Sequence, residues 1–268
     1  MLILHLIALS FNYSMGAHTI EVLRIEVVGK VNSFRLADHH TYQRSYLFPP
    51  KTTICGMIGS ALGYSAEEVN EKLLDTLGIG IYLKKFDGEA RDLWKYKKIK
   101  ARTDTDKTED TVVIDGTQYF GAILVREWLF IPRYIIYLSS SENSILRDIG
   151  KALGHPVYAL SLGREDELIK IITIQKVTLT YQNNLYYNNT VLPFNIFTEG
   201  YEIDVSSLVP GQRIIPPGIE KIPVKFRYDG ETREAVRYET VTSFINVNLK
   251  PKVRHGGYVD EKIAIQFL

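Results

Sequence analysis

The sequence predicts an α+β fold in which helices cover one face of a sheet, followed by a small β-rich second domain. Over the first 180 residues the pattern order is strand, helix pair, strands, helix, strand, and this order suits a ferredoxin-like (RRM-like) sheet. After residue 180 no helical periodicity occurs, and pairs of Asn, Pro and Gly separate short strands. The predicted domains are therefore residues 19–180 and 181–268.

The first half contains the clearest elements. Alternating apolar residues predict a strand over 20–28. A helix follows, with Thr52 or Thr53 as its cap and Gly63 as its end. Ser65 and Glu68 form a capping-box pattern that predicts a second helix reaching Leu77.

Further along, strands are predicted over 79–83, 128–138, 157–162 and 169–180, and a third helix over 141–153. The segment 84–102 carries eight Lys or Arg residues against three acidic ones. In it Trp94 and Tyr96 alternate with Lys95 and Lys97, which predicts a basic strand with one aromatic face. Residues 104–115 are polar and acidic, as expected of a hairpin tip.

Composition narrows the possible functions. Hydrophobic residues make up 45% and charged residues 24%, which excludes a disordered or collagen-like chain. The formal net charge is only +1, so a nucleic-acid surface requires local clustering of cations. The single cysteine, Cys55, excludes an internal disulfide and a multi-cysteine zinc site. It agrees with a cytoplasmic location.

The amino terminus predicts neither a membrane span nor export. Its apolar run over residues 2–9 is far shorter than the ~20 residues that a span needs. A signal peptide requires a Lys or Arg before its apolar run, and none is present here. We therefore expect residues 1–18 to be an extra segment of uncertain order.

The loop over residues 34–53 carries the chemistry that single-stranded RNA requires. It mixes cations for phosphates with ring faces for bases, and it leads to a helix amino terminus, whose free amides favour anions. Gly56 would let a backbone approach closely. The alternative is a polar loop whose rings pack on the sheet. The candidate contacts here are Arg35, His39, His40, Tyr42, Arg44, Tyr46, Lys51, Thr52, Thr53 and Gly56.

Other chemistries have less support. Adjacent residues in an extended loop point in opposite directions, so His39 and His40 are poor metal ligands, although they suit acid–base work. Cys55 lies on an apolar helix face and is expected in the core. No dinucleotide, phosphate-loop or nucleophile-elbow motif occurs. We therefore expect no metal, no cofactor and no small-molecule substrate.

Two stretches carry a resemblance to a known family. Residues 46–58, YLFPPKTTICGMI, and residues 156–164, PVYALSLGR, resemble recurrent stretches of the CRISPR-associated Cas5 family. Members belong to the RAMP superfamily and are subunits of Cascade-type complexes. The resemblance covers about residues 19 to 180.

This resemblance implies a ferredoxin-like palm with an inserted β-hairpin thumb, here at about residues 84–120. It implies a subunit of a type I Cascade interference complex that acts in antiviral defence. Such a subunit grips the 5′ handle of CRISPR RNA and caps the filament of backbone subunits beside the large subunit. Arg164 would reach the same RNA from the palm, and the thumb would add Trp94, Lys95, Tyr96 and Lys97.

One branch of the family cleaves precursor CRISPR RNA without a metal, using a Tyr at the position of Tyr46 and a Lys-His pair. No Lys-His dipeptide occurs in this chain. We therefore expect a non-catalytic RNA-binding subunit. The alternatives are a metal-independent endoribonuclease that uses Tyr46, His39 or His40, and an α+β protein whose loop binds nothing.

Overall fold

A computed structural model describes residues 18–36, 39, 41–98, 111–114, 117–229, 232–252 and 256–268 of the chain. Of the predicted extra segment 1–18, all but His18 lies outside these residues. The described part is mostly β-structure. Its strands are β1 (Thr19–Gly29), β2 (Val31–Asn32), β3 (Tyr42–Gln43), β4 (Gly78–Lys85), β5 (Gly88–Lys98), β6 (Thr111–Ile114), β7 (Thr117–Phe130), β8 (Arg133–Ser139), β9 (Ile169–Asn183), β10 (Val191–Leu192), β11 (Tyr201–Ile203), β12 (Ile215–Asp229), β13 (Thr232–Ile245), β14 (Leu249–Pro251), β15 (Gly256–Asp260) and β16 (Ile263–Ile265). Its helices are α1 (Lys51–Leu62), α2 (Ala66–Lys72), α3 (Asn143–Gly154) and a 3-10 turn over Val205–Ser207.

The main sheet has the strand order β16-β15-β9-β1-β8-β4, and every pair in it is antiparallel. Helices α1 and α2 connect β1 to β4, and α3 connects β8 to β9. The last two strands, β15 and β16, follow residue 180 but extend this first sheet. The predicted division at residue 180 therefore does not separate the sheets.

The two edges of the main sheet meet. Leu268, just after β16, exchanges main-chain hydrogen bonds with Ile79 of β4, at N···O distances of 2.9 and 3.4 Å. The curled sheet encloses a small cluster that includes Val22, Tyr137 and Ile265, while its other face packs with α1 and α3 to form the main core. Both faces of the central strands are therefore buried.

A second sheet is built on the long strand β7, which pairs with β2, β3, β5 and β6. Strands β5 and β7 form a hairpin whose register runs from Gly88↔Phe130 to Lys98↔Phe120. This hairpin begins within the segment predicted as the thumb, 84–120, but its second strand continues to Phe130. Most of the predicted tip over 104–115 lies outside the described residues.

The predicted helices are present, with different ends. Gly63 ends α1 in the left-handed conformation (φ 76°), and Ser65 and Glu68 form the predicted capping box. The predicted Thr52 or Thr53 cap is wrong, because α1 begins after Pro50 and has no side-chain cap. Helix α2 ends at Lys72 rather than Leu77.

Two strand predictions differ from the structure. Residues 157–162 form no strand; Val157 and Tyr158 are exposed, and their amides bond to the last turn of α1. The predicted strand 128–138 is two strands, because Ile131 adopts a positive φ of 45° and Pro132 has no amide donor. The chain therefore turns from the second sheet into the first at this point.

Glu26 is a buried carboxyl on β1, although it alternates there with apolar residues. It accepts hydrogen bonds from Lys84 Nζ, at 2.8 Å, and from Arg133 Nε. Burial alone would raise the pKa of this carboxyl, but the two hydrogen bonds outweigh burial and lower it. The carboxylate form is therefore the form that stabilises the fold.

The lowered pKa of Glu26 predicts a loss of stability in acid. A carboxyl with a depressed folded-state pKa stabilises above its ordinary value, 4.5, and this contribution disappears as pH falls through the folded-state pKa. We expect Glu26→Gln to cost about 1–2 kcal/mol at pH 7, since both cations are partly exposed. Below pH 4.5 the cost should shrink, as chemical denaturation at several pH values would measure.

The matched control is Glu21→Gln, which alters an exposed carboxylate on the same strand. It should leave stability nearly unchanged at every pH. A pH-independent cost for Glu26→Gln would contradict the assigned role of its charge.

Candidate nucleic-acid interface

The predicted RNA-binding loop folds as a narrow hairpin. Leu36 N donates to Arg44 O at 3.0 Å and Tyr46 N donates to Phe34 O at 2.8 Å, so residues 34–36 lie alongside 44–46. Arg35 faces Ser45 in this pairing, and both Arg35 and Arg44 are exposed. Two of the predicted phosphate contacts are therefore at neighbouring positions of this hairpin and open to solvent, with their side chains on opposite faces.

Tyr42 connects this loop to the β5–β7 hairpin. Its main chain pairs with Val125 of β7, its hydroxyl donates to Glu127, and the guanidinium of Arg91 lies 5.4 Å from its ring centroid. The hydrogen bond to the Glu127 carboxylate raises the pKa of Tyr42. A half-buried ring and an exposed arginine thus stand beside Arg44 at the base of the hairpin.

Tyr46 and Lys51 do not lie on this surface. Tyr46 is 6% exposed and its hydroxyl donates to Lys221 O at 2.7 Å. Lys51 is buried, its amine donates to Leu268 O at 3.0 Å, and burial lowers its pKa. Both side chains connect the loop and α1 to later parts of the chain, which argues against direct contact with RNA.

Trp94 lies within a cluster of rings and arginines. The Arg126 guanidinium stands 3.8 Å from the Trp94 ring centroid and 3.7 Å from that of Trp128. The guanidinium of the exposed Arg164 lies 5.2 Å from the Trp94 ring. We call these four residues the Trp–Arg cluster. It brings Arg164, which follows the turn at 162–163, to Trp94 of β5.

Arg126 is an unusual member of the Trp–Arg cluster, because it is 1% exposed and none of its guanidinium nitrogens has a hydrogen-bond partner among the described residues. Burial lowers its pKa, and the charge of Arg164 lowers it further. A buried cation without hydrogen bonds is costly, and the faces of two indole rings offset part of that cost. The rings of Trp94 and Trp128 are therefore needed in the folded protein.

Arg164 is held in place by a buried carboxylate. Glu167 accepts hydrogen bonds from Ser33 N at 2.7 Å, Ser33 Oγ at 2.5 Å and Arg164 N at 3.1 Å. Asn32 Nδ2 donates to Leu162 O at 2.6 Å. Burial raises the pKa of Glu167 despite these hydrogen bonds. Gly163, between Leu162 and Arg164, has φ 115°. The Leu-Gly-Arg stretch is therefore a turn held in place against the end of β2.

The other predicted RNA contacts on helix α1 face a cleft of about 320 Å³. This cleft lies between α1, α2, the loop at 161–163 and the β12–β13 hairpin. Thr52, Thr53 and Gly56 line it, as do Ser161 and Gly163. Because Gly163 precedes Arg164, this cleft and the Trp–Arg cluster share one turn of chain.

The other predicted residues are placed as follows. Lys95 is exposed on β5, and His39 is half-buried. The side chains of Tyr96 and Lys97, and all of His40, lie outside the described residues. Cys55 is buried and burial raises the pKa of its thiol to about 12, so it is a neutral core residue as predicted. Within the described ranges no helix is long and apolar enough to cross a membrane, and no three His, Cys, Asp or Glu side chains could together hold a metal ion.

Sequence reasoning missed several residues of this surface. Arg126, Trp128 and Glu167 were not singled out, nor were the aromatic and basic residues of β12 and β13 that line the cleft. Arg126 and Trp128 are two positions apart, and that spacing puts both on one face of a strand. Only the pairing of β5 with β7, however, places them beside Trp94.

A family model described as CRISPR-associated protein (Cas_Cas5) matches residues 22–195. The chain belongs to the Cas5 family. The match includes the loop at 34–46, α1, the Trp–Arg cluster and the turn at 162–167, but it ends before β12 and β13. No curated protein matches this Cas5 chain.

Solved structures resemble this Cas5 chain in fold at low identity. A CRISPR protein from Archaeoglobus fulgidus has a TM-score of 0.53 at 12% identity, over 93% of this chain and all of its own. A chain of a CRISPR RNA-guided surveillance complex has a TM-score of 0.49 at 11% identity, over 84% of this chain and 90% of its own. The first likeness shows a fold shared with a CRISPR protein.

Proposed function

We propose that this Cas5 chain is a non-catalytic RNA-binding subunit of a type I Cascade interference complex. It grips the 5′ handle of CRISPR RNA and caps the backbone filament in antiviral defence. The antiparallel order β9-β1-β8-β4, with helices after the first and third of these strands in chain order, supports a ferredoxin-like palm. The β5–β7 hairpin, inserted between β4 and β8, supports the thumb.

One observation carries the RNA-binding proposal: exposed arginines stand on both sides of the base of the β5–β7 hairpin. Arg44 and Arg91 lie with Tyr42 on one side, and Arg164 lies with Trp94 on the other. Arg35 is exposed on the adjoining loop. Guanidinium groups bind phosphates in a fork geometry, and rings accept bases by stacking. This arrangement gives the near-neutral chain a local group of cations for the phosphates of a single strand.

The position of Tyr46 favours the non-catalytic form of the proposal. A catalytic tyrosine must reach the RNA 2′-hydroxyl, whereas the Tyr46 hydroxyl is bonded to the Lys221 carbonyl within the fold. Incubation of the purified protein with repeat RNA in EDTA tests this point. Site-specific cleavage that is lost in Tyr46→Phe would favour the endoribonuclease instead.

Loss of a phosphate contact should change the salt dependence of RNA binding. We expect Arg35→Ala, Arg44→Ala and Arg164→Ala each to weaken binding of single-stranded repeat RNA. Each change should also reduce the slope of log K against log salt by about 0.7, the value for one contact with a single strand. Titrations at several salt concentrations measure both quantities.

Arg147→Ala serves as the control, since Arg147 is exposed on α3 outside this surface. It should leave the slope unchanged. Lys51→Ala should lower stability but leave the slope unchanged, because the amine is buried. Equal slopes for wild type and all three test variants would show that the interface lies elsewhere.

The proposed partners are the RNA 5′ handle, the backbone subunit and the large subunit. Exposed apolar side chains on the hairpin, Leu93 and Ile123, support a protein contact beside the RNA. Co-purification of tagged chain with its host's RNA and proteins would identify these partners.

A further inference from the structure

The 320 Å³ cleft has walls of suitable chemistry for a nucleotide. Thr52, Thr53 and Ser161 line it on one side, and Phe226, Tyr228 and Arg233 of the β12–β13 hairpin line it on the other. Among the described lining residues Arg233 is the charged one, and none is Asp or Glu. The cleft therefore favours an anionic, partly aromatic ligand over a metal ion or a lipid.

The ring-bearing wall is fastened to the palm. Phe226 N donates to Asn70 Oδ1 at 3.0 Å. Asp75 forms ion pairs with Lys225 and with Arg237, the latter at 3.1 Å. These contacts join both strands of the β12–β13 hairpin to α2 and the residues after it. The cleft is thus formed before any ligand arrives.

Tyr228 and Arg233 lie side by side on the β12–β13 hairpin. They are direct cross-strand partners in the β12–β13 register, so their side chains lie on the same face. The Arg233 guanidinium stands 5.1 Å from the Phe226 ring centroid. A ring and a cation side by side can hold a base and its phosphate together.

Gly56 provides a separate observation. It lies in the interior of α1, where glycine disfavours the helix, and a Cβ built on it would meet nothing within 4 Å. Neither packing nor a positive φ explains a glycine at this position. Its bare surface faces the cleft and leaves room for a ligand.

We infer that this cleft receives a single nucleotide of the bound RNA, turned out of the strand, with its base on Tyr228 and its phosphate at Arg233. The inference rests on the proposed RNA-binding function and adds a base-reading position to it. The volume is at the lower end of the range for ligand sites, which fits one nucleotide rather than a longer segment. The hairpin that completes the cleft follows the residues matched by the family model.

The test fills the cleft without disturbing the fold. Gly56→Leu should keep or raise the thermal midpoint, because leucine favours a helix and its side chain has space. It should weaken binding about tenfold, the effect of losing one stacked base. The probes are RNA that co-purifies with the protein and a randomised single-stranded RNA pool. Gly154→Leu is the matched control, also with open space around its Cβ, and should bind as wild type.

A second pair of variants tests the inference even if Gly56→Leu fails to fold. Tyr228→Ala should weaken binding about tenfold and Tyr228→Phe should not, because only the first loses the ring. An abasic residue scanned along the co-purified RNA should weaken wild-type binding at one position. The same abasic RNA should weaken binding by Tyr228→Ala no further.

The outcomes separate this inference from the proposed function. If both Tyr228 variants bind as wild type and no abasic position matters, the inference is overturned, while the arginine variants still decide RNA binding. If AMP fills the cleft and neither Tyr228 variant changes RNA affinity, the cleft belongs to a free nucleotide and the inference fails. If wild type binds neither probe, the proposed function fails too.

Discussion

Replacement of Gly163 by alanine is expected to lower the free energy of unfolding by about 3 kcal/mol or more. A Cβ at this position would lie 2.1 Å from Glu167 Oε2 and 2.5 Å from the Ser33 carbonyl oxygen, and φ is 115°. A non-glycine residue at such a φ costs about 1–3 kcal/mol before any clash is counted. The thermal midpoint should fall by roughly 6–12 °C.

The effect should also reach the proposed interface, because the new methyl group would displace Glu167 Oε2, which accepts the hydrogen bond from Arg164 N. Gly154→Ala is the control: its Cβ meets nothing within 4 Å. That variant should unfold at the wild-type temperature. A Gly163→Ala protein as stable as wild type would show that the turn at 162–167 is easily rearranged.

Trp94→Ala is expected to cost about 3 kcal/mol, at the low end for a large aromatic side chain because the ring is half-buried. The loss has a specific cause: the buried Arg126 guanidinium would keep only Trp128 as a partner. Trp94→Phe, which preserves a ring, should cost clearly less. Thermal melts of the two variants measure the difference.

Tryptophan fluorescence reports on this cluster alone, since the chain's two tryptophans both contact Arg126. RNA bound at Arg164 should change the emission of Trp94, and the change should be smaller in Trp94→Phe, where only Trp128 reports. A Trp94→Ala protein with unchanged stability and only weaker RNA binding would instead make the ring a base platform, the role predicted from sequence.

The order of the main elements follows from the sequence because each depends on local patterns. Alternation identified β1, Gly63 identified the end of α1, and Ser65 identified the start of α2. Boundaries that depend on tertiary contacts were less predictable. The stretch at 157–162 has strand-forming residues, yet its amides bond to α1 and its turn bonds to Glu167, so no sheet forms there.

In the candidate site, too, features that depend on local sequence were predictable and features that depend on tertiary contacts were not. Arg35 and Arg44 were predicted from local composition and are exposed as expected. Tyr46 and Lys51 have the same kind of composition around them, but their partners, Lys221 and Leu268, are more than 170 residues away. Burial that arises from such distant partners leaves no local signal. For the same reason Arg126 could not be connected with Trp94.

The closure of the main sheet by β15 and β16 has a consequence for biosynthesis. Strands β1, β4, β8 and β9 leave the ribosome well before the strand that pairs with the free side of β9, and translation of the intervening chain takes several seconds. During that interval β9 presents an unpaired edge, which is a template for association with other chains. Until residues 256–260 emerge, β9 is therefore the exposed edge strand of the growing sheet.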